Sequence, residues 1–477
     1  MRRVAVLPLL ALMLTAAAVV PTGAAARPDR APSVARAATP SGQPATTFNA
    51  PRPFGDAAAN NRILVRVEQA INGVPGPTKK NPEPTITIAS YLFDRAQSVD
   101  ALIRACRRGV GVRVILDGDI STRAEKRLVS ALNGDNVADK NKDGKPDGKA
   151  ATGRCGRPKK EGRANRAAGL AKPGVGATGL PGLPELQVMT RRQAVASIDQ
   201  PVDSSVTWGK DRSYVKRCSG SCRNLGDGGN MHSKFYLFSR TNGVDHVSMF
   251  SSSNLNRGGA VLGWNDLFVV EDRPRLYDFF LQVHRAMTRQ LRADAKKLEF
   301  TDANVTARVY PLRGASKAND PTLADLKAIK CTSALGRTQI NISMFYWQGD
   351  RGGYLADQVL ALARQGCAVN IIYGAPSRII AGRLRAAANS GLINLWDSRF
   401  DLNEDGFVDV RTHAKYVLVK GTFRGNDRAH VVLTGSQNWS KGSLTLGDDI
   451  TLNIAGKSIY SQYLRHWNVV RSHSTRK

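Results

Sequence analysis

Two segments of the chain place a histidine two residues before a lysine, at the head of an apolar run. MHSKFYLF contains His232 and Lys234, and THAKYVLV contains His413 and Lys415. Because alternate residues of a β-strand face the same side, each pair presents an imidazole and an ammonium group on one face. An imidazole can act as a nucleophile or as a general acid and base, and an ammonium group can hold an anion. The pattern therefore indicates chemistry on an anionic substrate.

A polar turn follows each of these apolar runs. The first turn contains Ser252 and Asn254, and the second contains Ser436 and Asn438. Hydroxyl and amide groups in a turn can donate hydrogen bonds to phosphate oxygens. We therefore predict that the two serines bind substrate and that the two asparagines take part in catalysis.

An aspartate lies beyond each turn, Asp266 in GWNDLFVV and Asp449 in GDDITLNI. A carboxylate that accepts a hydrogen bond from one imidazole nitrogen fixes the tautomer and raises the basicity of the other nitrogen. The sequence therefore predicts that Asp266 and Asp449 each orient one histidine.

The chemical groups belong to a repeat. The segment TITIASYLFDRAQSVDALIRACRRGVGVRVILDGD at 85–119 matches QINISMFYWQGDRGGYLADQVLALARQGCAVNIIYG at 339–374. Each copy contains an apolar strand, a helix with apolar residues three and four positions apart, an Arg-x-Gly turn and a second strand. A strand–helix–strand unit indicates parallel pairing, so the chain is predicted to have an α/β fold built by tandem duplication.

The repeat divides the chain into predicted halves at 55–300 and 301–477. The first half is longer because of an insertion at about 133–185, which is rich in Gly, Pro, Ala and Lys and is predicted to be a surface loop. The segment 27–54 is rich in Ala, Pro, Ser and Thr, and is predicted to be a linker that buries no core.

The first 26 residues are typical of a secretory signal peptide. Arg2 and Arg3 precede an uncharged apolar run at 4–20, and three alanines at 24–26 provide a cleavage site near Ala26. The alternative is a membrane anchor, for which this run is short. We therefore expect a secreted protein.

The chain is strongly basic, with 69 Lys and Arg residues against 39 Asp and Glu and a formal charge of +30. Removal of Arg2 and Arg3 with the signal peptide leaves +28. Such a charge favours anionic partners, for example nucleic acid, an anionic membrane surface or polyphosphate. The alternative is that the charge serves solubility alone.

Six cysteines in an exported protein indicate three disulfides. We predict pairing of Cys331 with Cys367, which flank the helix and strands of the second repeat, and a local bridge within CSGSC. The predicted bridges are Cys331–Cys367, Cys218–Cys222 and, by the remaining cysteines, Cys106–Cys155.

The doubled motifs resemble the phospholipase D superfamily, whose signature is His-x-Lys-x4-Asp followed by a Gly-Ser-x-Asn turn in each half. The resemblance extends through both repeats. It implies two tandem α/β lobes related by a pseudo-twofold axis, with one active site at their interface, in an enzyme that is expected to be a monomer. It also implies that His232 is the nucleophile that forms a phosphohistidine, and that His413 is the general acid and base. Lys234 and Lys415 then hold phosphate oxygens with the two asparagines, and the chemistry requires no cofactor.

The chain departs from that signature at one position in each half. The family aspartate is replaced by Ser239 in the first half and by Lys420 in the second. The parity of a strand places both positions on the face opposite the histidine and lysine, so no catalytic group need be lost. His246 and His430 are also repeat-equivalent, but they lack a lysine partner and are interpreted as structural.

Three functions are compatible with these residues. The first is hydrolysis of phospholipid head groups by a secreted phospholipase D. The second is a secreted non-specific nuclease, which the positive charge favours. The third is a catalytically silent phosphate- or membrane-binding protein. Aromatic side chains that could form an acyl interface, or simply pack in the core, are Phe345, Tyr346, Trp347 and Trp439.

Two further segments match part of a calcium-binding loop. DKNKDGKPD and DLNEDGFVD share the pattern Asp-x-Asn-x-Asp-Gly-x-x-Asp, although neither has the glutamate expected at position 12. The alternative is a turn that binds no ion. The candidate ligands are Asp139, Asn141, Asp143 and Asp147 in the first segment, and Asp401, Asn403, Asp405 and Asp409 in the second.

Overall fold

The computed structural model describes residues 41–42, 45–118, 121–133, 213–218, 220–224, 228–290, 292–293 and 297–477. The predicted signal peptide, nearly all of the predicted insertion and the first candidate calcium loop lie outside these residues. In this described part of the chain, no helix combines the length and the apolar character needed to cross a membrane.

Both halves contain strands and helices in the described part of the chain. The strands are β1 Thr46–Phe48, β2 Thr85–Ser90, β3 Gly111–Asp117, β4 Tyr214–Cys218, β5 Phe235–Thr241, β6 Val244–Ser251, β7 Gly263–Trp264, β8 Asp266–Val270, β9 Leu298–Asp302, β10 Val305–Val309, β11 Ile329–Lys330, β12 Thr332–Ser333, β13 Gly336–Arg337, β14 Gln339–Trp347, β15 Ala368–Pro376, β16 Asn394–Asp397, β17 Arg411–Thr412, β18 Lys415–Phe423, β19 Asn426–Gly435, β20 Ile450–Ala455 and β21 Thr475–Arg476. The helices are α1 Ala57–Asn72, α2 Ala96–Arg107, α3 Arg123–Asn133, α4 Arg257–Leu262, α5 Pro274–Thr288, α6 Pro321–Lys327, α7 Gly349–Arg364, α8 Arg378–Asn389, α9 Lys441–Thr445 and α10 Lys457–Ser472.

The two main sheets repeat one strand order. The first sheet runs β1-β8-β6-β5-β2-β3-β4, and the second runs β9-β10-β20-β19-β18-β14-β15-β16-β21. The six strands β8-β6-β5-β2-β3-β4 therefore correspond to β20-β19-β18-β14-β15-β16. In each set the last three strands are parallel and the others are antiparallel. The predicted α/β fold of two duplicated lobes is confirmed.

The strands that follow the His-x-Lys motifs are buried on both faces. Phe235, Tyr236, Leu237 and Phe238 of β5 are all within 1 % of complete burial. A near-continuous apolar run is typical of a strand that is covered on both sides. Alternate residues of β5 accordingly belong to two different cores, one shared between the sheets and one beneath the outer helices.

A central core joins the two lobes. It contains Phe235 and Leu237 of the first sheet together with Tyr416 and Leu418 of the second. Helices α5 and α10 contribute to the same cluster, for example through Tyr463. Burial of large apolar side chains stabilises such an arrangement by roughly 1.5–3 kcal/mol for each side chain. The lobes are therefore fixed against each other by the same kind of packing that holds each lobe together.

Two predicted boundaries need correction. Strand β1 lies inside the predicted linker, where Thr46 and Thr47 are buried and pair with Phe268 and Leu267 at the edge of the first sheet. Composition did not reveal this strand because it is short and contains one large apolar side chain, Phe48, which packs against the central core. Strand β9 straddles the predicted boundary between residues 300 and 301, yet it belongs wholly to the second sheet.

Two of the predicted disulfides are present, Cys218–Cys222 and Cys331–Cys367. The predicted partner of Cys106, Cys155, lies outside the described residues. The short loop closed by Cys218 and Cys222 is tied to the other lobe, because the Asp448 carboxylate accepts hydrogen bonds from the Ser221 hydroxyl at 2.8 Å and the Cys222 N–H at 2.5 Å.

The two bridges should contribute unequally to stability. The cysteines are 36 positions apart in Cys331–Cys367 and 4 apart in Cys218–Cys222. The chain-entropy model then assigns about 4 kcal/mol to the first bridge and about 2 kcal/mol to the second. We expect Cys331→Ala/Cys367→Ala to lower the free energy of unfolding in urea more than Cys218→Ala/Cys222→Ala does. An equal or reversed loss would contradict this expectation.

Candidate active site

Each His-x-Lys motif is hydrogen-bonded to the opposite lobe. The His232 N–H donates to the carbonyl of Asp448 at 2.9 Å, and the His413 N–H donates to the carbonyl of Trp264 at 2.9 Å. Strand β17 pairs in parallel with β7, and Met231 forms the equivalent bridge with Asp448. The two motifs are thus fixed at one interface by a reciprocal exchange between the halves.

His232 is oriented by a carboxylate from the second lobe. Its Nδ1 lies 2.9 Å from Oδ1 of Asp449, and the Ser436 hydroxyl donates to the same oxygen at 2.6 Å. Burial raises the pKa of Asp449, but the His232 imidazole, the Ser436 hydroxyl and the Lys234 ammonium group outweigh it, so the pKa falls below 3.8. Asp449 is therefore a carboxylate at neutral pH. It holds a proton on Nδ1 and leaves Nε2 of His232 available.

His413 is oriented by an amide from the first lobe. Its Nδ1–H donates to Oδ1 of Asn265 at 2.8 Å. The Asn265 Nδ2 donates to the carbonyls of Gly259 and Gly263, both at 2.9 Å. Because these two carbonyls can only accept, they orient the amide with its oxygen towards His413. The two histidines therefore share a geometry but differ in partner: one has a charged acceptor and the other a neutral one.

The prediction that Asp266 orients a histidine is wrong. Asp266 is the first residue of β8 and directly follows Asn265 in extended chain, so its side chain faces the other way. Its buried Oδ2 accepts hydrogen bonds from the Thr434 hydroxyl and the Tyr463 hydroxyl, both at 2.8 Å. Burial raises the pKa of Asp266 despite these donors. Asp266 thus belongs to the packing between the lobes, whereas Asp449 lies beside a histidine as predicted.

The sequence contained a signal for Asn265 that the motif comparison missed. Asn265 lies 11 residues after Asn254, and Asp449 lies 11 residues after Asn438 (265 − 254 and 449 − 438). Counting from the turn asparagines therefore aligns Asn265, not Asp266, with Asp449.

The two turn serines hold the orienting side chains rather than a substrate. The Ser252 hydroxyl donates to Oδ1 of Asn265 at 3.2 Å and accepts the Asp266 N–H at 3.0 Å. The Ser436 hydroxyl has the same two bonds, to Asp449 and from the Ile450 N–H. Since its single proton is used in each case, the predicted role of these serines in substrate binding is corrected to one of positioning.

The two turn asparagines are available for a ligand. Asn254 and Asn438 are more than nine-tenths buried, and the Oδ1 atom of each has no hydrogen-bond partner among the described residues. An unsatisfied buried amide is costly, and an amide can present either its oxygen or its NH₂ group to a partner. Because phosphate oxygens accept hydrogen bonds, a phosphate would bind the NH₂ group of each amide, and the two repeats present these amides in the same way.

The two lysines are buried beside the histidines. The ammonium groups of Lys234 and Lys415 donate to the carbonyls of His232 and His413, and Lys415 Nζ is 3.3 Å from Nε2 of His413. Burial lowers the pKa of Lys234 to about 7, although Asp449 and Asp117 oppose the shift. Burial, followed by repulsion from Lys234, also lowers the pKa of Lys415 well below 10.5.

The histidines share the electrostatic environment of the lysines. Burial lowers the pKa of His232 to about 4, repulsion from Lys234 adds to the shift, and Asp449 opposes it. Burial lowers the pKa of His413 well below 6.5, and Lys415, Lys234 and His232 repel its charged form. Four basic groups therefore share one buried space. Asp449 is hydrogen-bonded to His232, and Asp117 and Asp266 act on the lysines without preventing their pKa values from falling. Such a site favours the binding of an anion.

Two aromatic side chains cover the histidines at repeat-equivalent positions. The Tyr91 ring lies 5.3 Å from the His232 ring, and Phe345 lies 4.7 Å from His413. The sequence analysis proposed Phe345 as a candidate but did not consider Tyr91. Alignment of 85–119 with 339–374 places Tyr91 opposite Phe345. Trp347 and Trp439 pack edge to face in the core of the second lobe, 4.4 Å apart, and are not part of an exposed acyl interface.

The residues that replace the family aspartate lie outside the site. The Ser239 hydroxyl accepts the Thr85 N–H at 2.8 Å, and Lys420 pairs with Gln339 and His430 within the second sheet. His430, as predicted, has no contact with the catalytic groups; its ring packs on Tyr460.

The second candidate calcium loop is closed by its own backbone. The Asp401 carboxylate accepts the N–H groups of Asp405 and Gly406, and the Asp409 carboxylate accepts that of Leu402. Within the described ranges, no three His, Cys, Asp or Glu side chains are placed to hold a metal ion. Calcium binding by Asp401, Asn403, Asp405 and Asp409 therefore stays a prediction.

A family model described as "Cardiolipin synthase, PLD-like domain" matches residues 80–291 and 330–470. The chain belongs to this family of the phospholipase D superfamily, and membership assigns it phosphodiesterase chemistry. No curated protein is a significant sequence match.

Several solved structures resemble the fold. Phosphatidylserine synthase from Haemophilus influenzae Rd KW20 is 12 % identical, with a TM-score of 0.51 over 91 % of this chain and 87 % of that chain. Polyphosphate kinase from Porphyromonas gingivalis is 10 % identical, with a TM-score of 0.45 over 89 % of this chain; the match spans half of that protein (50 %). Nuc from Salmonella typhimurium, a phospholipase D family member, is 19 % identical, with a TM-score of 0.26 over 36 % of this chain and 97 % of that chain.

The neutral partner of His413 should set the upper limit of the pH profile. In Asn265→Asp one carboxyl oxygen would accept from Nδ1 of His413, and the other would face the carbonyls of Gly259 and Gly263, which raises the pKa of the new carboxyl. Above that pKa its charge stabilises the imidazolium and raises the pKa of His413. A general acid works only while it is protonated, so Asn265→Asp should move the descending limb of kcat/KM for a poor leaving group to higher pH. Asn394→Asp, which adds the same charge at an exposed strand position, should leave the limb in place. An unmoved limb in Asn265→Asp would contradict the role of His413.

The crowding of basic groups predicts proton uptake when an anion binds. A sulfate ion among the histidines and lysines would favour their charged forms and raise their lowered pKa values. Calorimetric titration with sulfate at pH 7, in buffers of different protonation enthalpy, should show net uptake of protons. Lys415→Met should reduce the uptake. Binding without proton uptake would show that the groups do not share one anion site.

Proposed function

We propose that the protein is a secreted phosphodiesterase that releases head groups from phospholipids, with His232 as the nucleophile and His413 as the general acid and base. The observation that carries the proposal is the reciprocal placement of two His-x-Lys motifs at one interface, with unequal partners. The family description and the name of the phosphatidylserine synthase neighbour support a lipid substrate. The signal-peptide pattern and two disulfides support export.

The unequal partners support the division of labour between the histidines. When Nε2 of His232 attacks phosphorus, the product is a phosphohistidine whose ring carries a positive charge. Asp449, hydrogen-bonded to Nδ1 of the same ring, stabilises that charge. His413 has only the neutral Asn265 at its Nδ1, so its imidazolium is less stabilised and is the stronger acid. Asp449 thus stabilises the positive charge on the nucleophile His232, whereas the neutral Asn265 leaves His413 a stronger acid.

The reaction proceeds in two balanced steps. As the His232–phosphorus bond forms and the bond to the head-group oxygen breaks, His413 gives its proton to the departing alkoxide. Water, or a second alcohol, then enters; His413 removes its proton, the new oxygen–phosphorus bond forms, and the bond to His232 breaks. In both steps the ammonium groups of Lys234 and Lys415 and the amides of Asn254 and Asn438 stabilise the non-bridging oxygens, where charge accumulates.

A nuclease of the same superfamily is the second candidate, because the formal charge of +30 favours a polyanion. The two activities separate in one comparison: purified protein on phosphatidylcholine vesicles and on plasmid DNA, without added metal. We expect choline release and intact plasmid. DNA cleavage without choline release would establish the nuclease instead. Cleavage of neither substrate would favour the silent phosphate-binding protein.

The two histidines should fail in different ways. A nitrophenolate, with a pKa of about 7, can leave without protonation, whereas choline cannot. His413→Ala should therefore lose choline release by several orders of magnitude, yet release about one equivalent of nitrophenol per enzyme from a nitrophenyl phosphodiester before it stalls as phosphohistidine. His232→Ala should show neither burst nor turnover.

His430→Ala is the matched control, because it removes a histidine that lies outside the site and packs on Tyr460. This variant should keep full activity. A burst in His232→Ala and none in His413→Ala would reverse the assigned roles. Turnover by the unmutated enzyme with no burst in either variant would refute the division of labour.

A further inference from the structure

The exposed apolar side chains of the protein are concentrated in two short segments. Eight large hydrophobic residues are exposed in the described part of the chain. One of them is Ile379, and four more lie within 400–408: Phe400, Leu402, Phe407 and Val408. Phe407 is 75 % exposed and Ile379 is 74 % exposed, well above the others. Single exposed apolar residues are ordinary, but a cluster beside a functional site marks an interaction surface.

Both segments leave the edge of the sheet that carries the candidate active site. Strands β14, β15 and β16 are parallel, so their carboxyl ends lie at one edge. Phe345, near the end of β14, packs on His413 at that edge. Ile379 follows the end of β15 by three residues, and Phe400 follows the end of β16 by three residues. The apolar segments and His413 are therefore neighbours by topology.

The loop at 400–408 is held in shape by its own hydrogen bonds. The backbones of Phe400 and Val410 form two bonds, of 2.8 and 3.0 Å, that close the loop at its base. The Phe400 ring packs on Phe54 at 5.2 Å, which anchors the base to the first lobe. At the tip, the Gly406 N–H donates to the Asp401 carboxylate at 2.7 Å. The loop thus presents Phe407 without using its ring in packing.

Arginines accompany the apolar side chains. Arg378 is exposed next to Ile379. Arg411 follows the loop in the chain, two residues before His413, with its guanidinium over the Phe345 ring. Arg399, next to Phe400, is exposed but already paired with the Asp397 carboxylate at 2.7 Å. Apolar side chains flanked by arginines suit a layer of lipid phosphates above acyl chains. The acidic residues of the loop add negative charge, so the surface matches a zwitterionic head-group layer better than a strongly anionic one.

We propose that Ile379 and the 400–408 loop dock the protein on a phospholipid bilayer, with Phe407 and Ile379 inserted at the head-group level. This inference rests on the proposed function, and it specifies that the substrate is taken from an assembled bilayer. Phe407 and His413 are six positions apart in the chain, a span of at most about 20 Å. An interfacial side chain enters the bilayer by about 5–10 Å, so the phosphates around the docked loop lie within reach of the site.

The test uses Ile379→Ser/Phe407→Ser and a matched pair, Val65→Ser/Val469→Ser, which removes two exposed apolar side chains from helices α1 and α10. Binding is measured by co-sedimentation with phosphatidylcholine vesicles, and catalysis with a water-soluble nitrophenyl phosphodiester. We expect the first pair to weaken vesicle binding by about tenfold or more. Its turnover of the soluble substrate should stay within about twofold of the unmutated value, because neither residue contacts a catalytic group. The matched pair should behave as the unmutated protein in both assays.

Equal vesicle binding by the first pair and the unmutated protein would overturn the docking surface, as would an equal loss in the matched pair. A dimer in sedimentation velocity that only Ile379→Ser/Phe407→Ser abolishes, with vesicle binding intact, would assign the surface to self-association instead. If the protein binds vesicles through these residues and cleaves no phosphodiester, the docking surface stands and the proposed function fails.

Discussion

The site depends on a hydrogen-bond exchange between the two lobes. His232 is held by Asp449 of the second lobe, and His413 is held by Asn265 of the first, so neither imidazole is oriented by its own half. The two imidazoles keep these partners only if the relative position of the lobes varies by less than a hydrogen bond allows, a few tenths of an ångström. The shared core between the sheets and the reciprocal backbone pairing of β7 with β17 and Met231 with Asp448 provide that constraint.

Burial of four basic groups is the cost of this geometry. Two histidines and two lysines share a space in which burial disfavours every positive charge, and among the described residues only Asp449 is a carboxylate bonded to a catalytic imidazole. The protein stabilises the arrangement locally: each ammonium group donates to the carbonyl of the histidine two residues before it. A bound phosphodiester adds the missing negative charge, so the same groups that destabilise the free site should favour its complex with an anion.

Much of the fold was predictable because the repeat and the apolar periodicity are each carried by many residues, so that no single side chain decides them. The strand–helix–strand repeat predicted the α/β class and the duplication, and the apolar runs after Lys234 and Lys415 indicated strands. Strand β1 was not predictable in this way, because Thr46 and Thr47 contribute an edge pairing that has no apolar signature.

The chemistry of the site was predicted in part. The parity of a strand correctly excluded Ser239 and Lys420 from the site and correctly paired each histidine with a lysine. The same parity explains the error at Asp266, because a shift of one residue along β8 moves a side chain to the opposite face of the sheet. The roles of Ser252 and Ser436 were missed for another reason: a hydroxyl that orients a catalytic group has the same sequence pattern as one that binds substrate.

The central claim is that His232 carries the phosphoryl group. The most direct test is to stop the reaction with a phosphodiester substrate in alkali, which preserves phosphohistidine, and to locate the modified residue by mass spectrometry of the digested protein. A phosphorylated or phosphatidylated His232, with His413 unmodified, is the predicted result. Modification of His413, or turnover with neither histidine modified at any time point, would contradict the account.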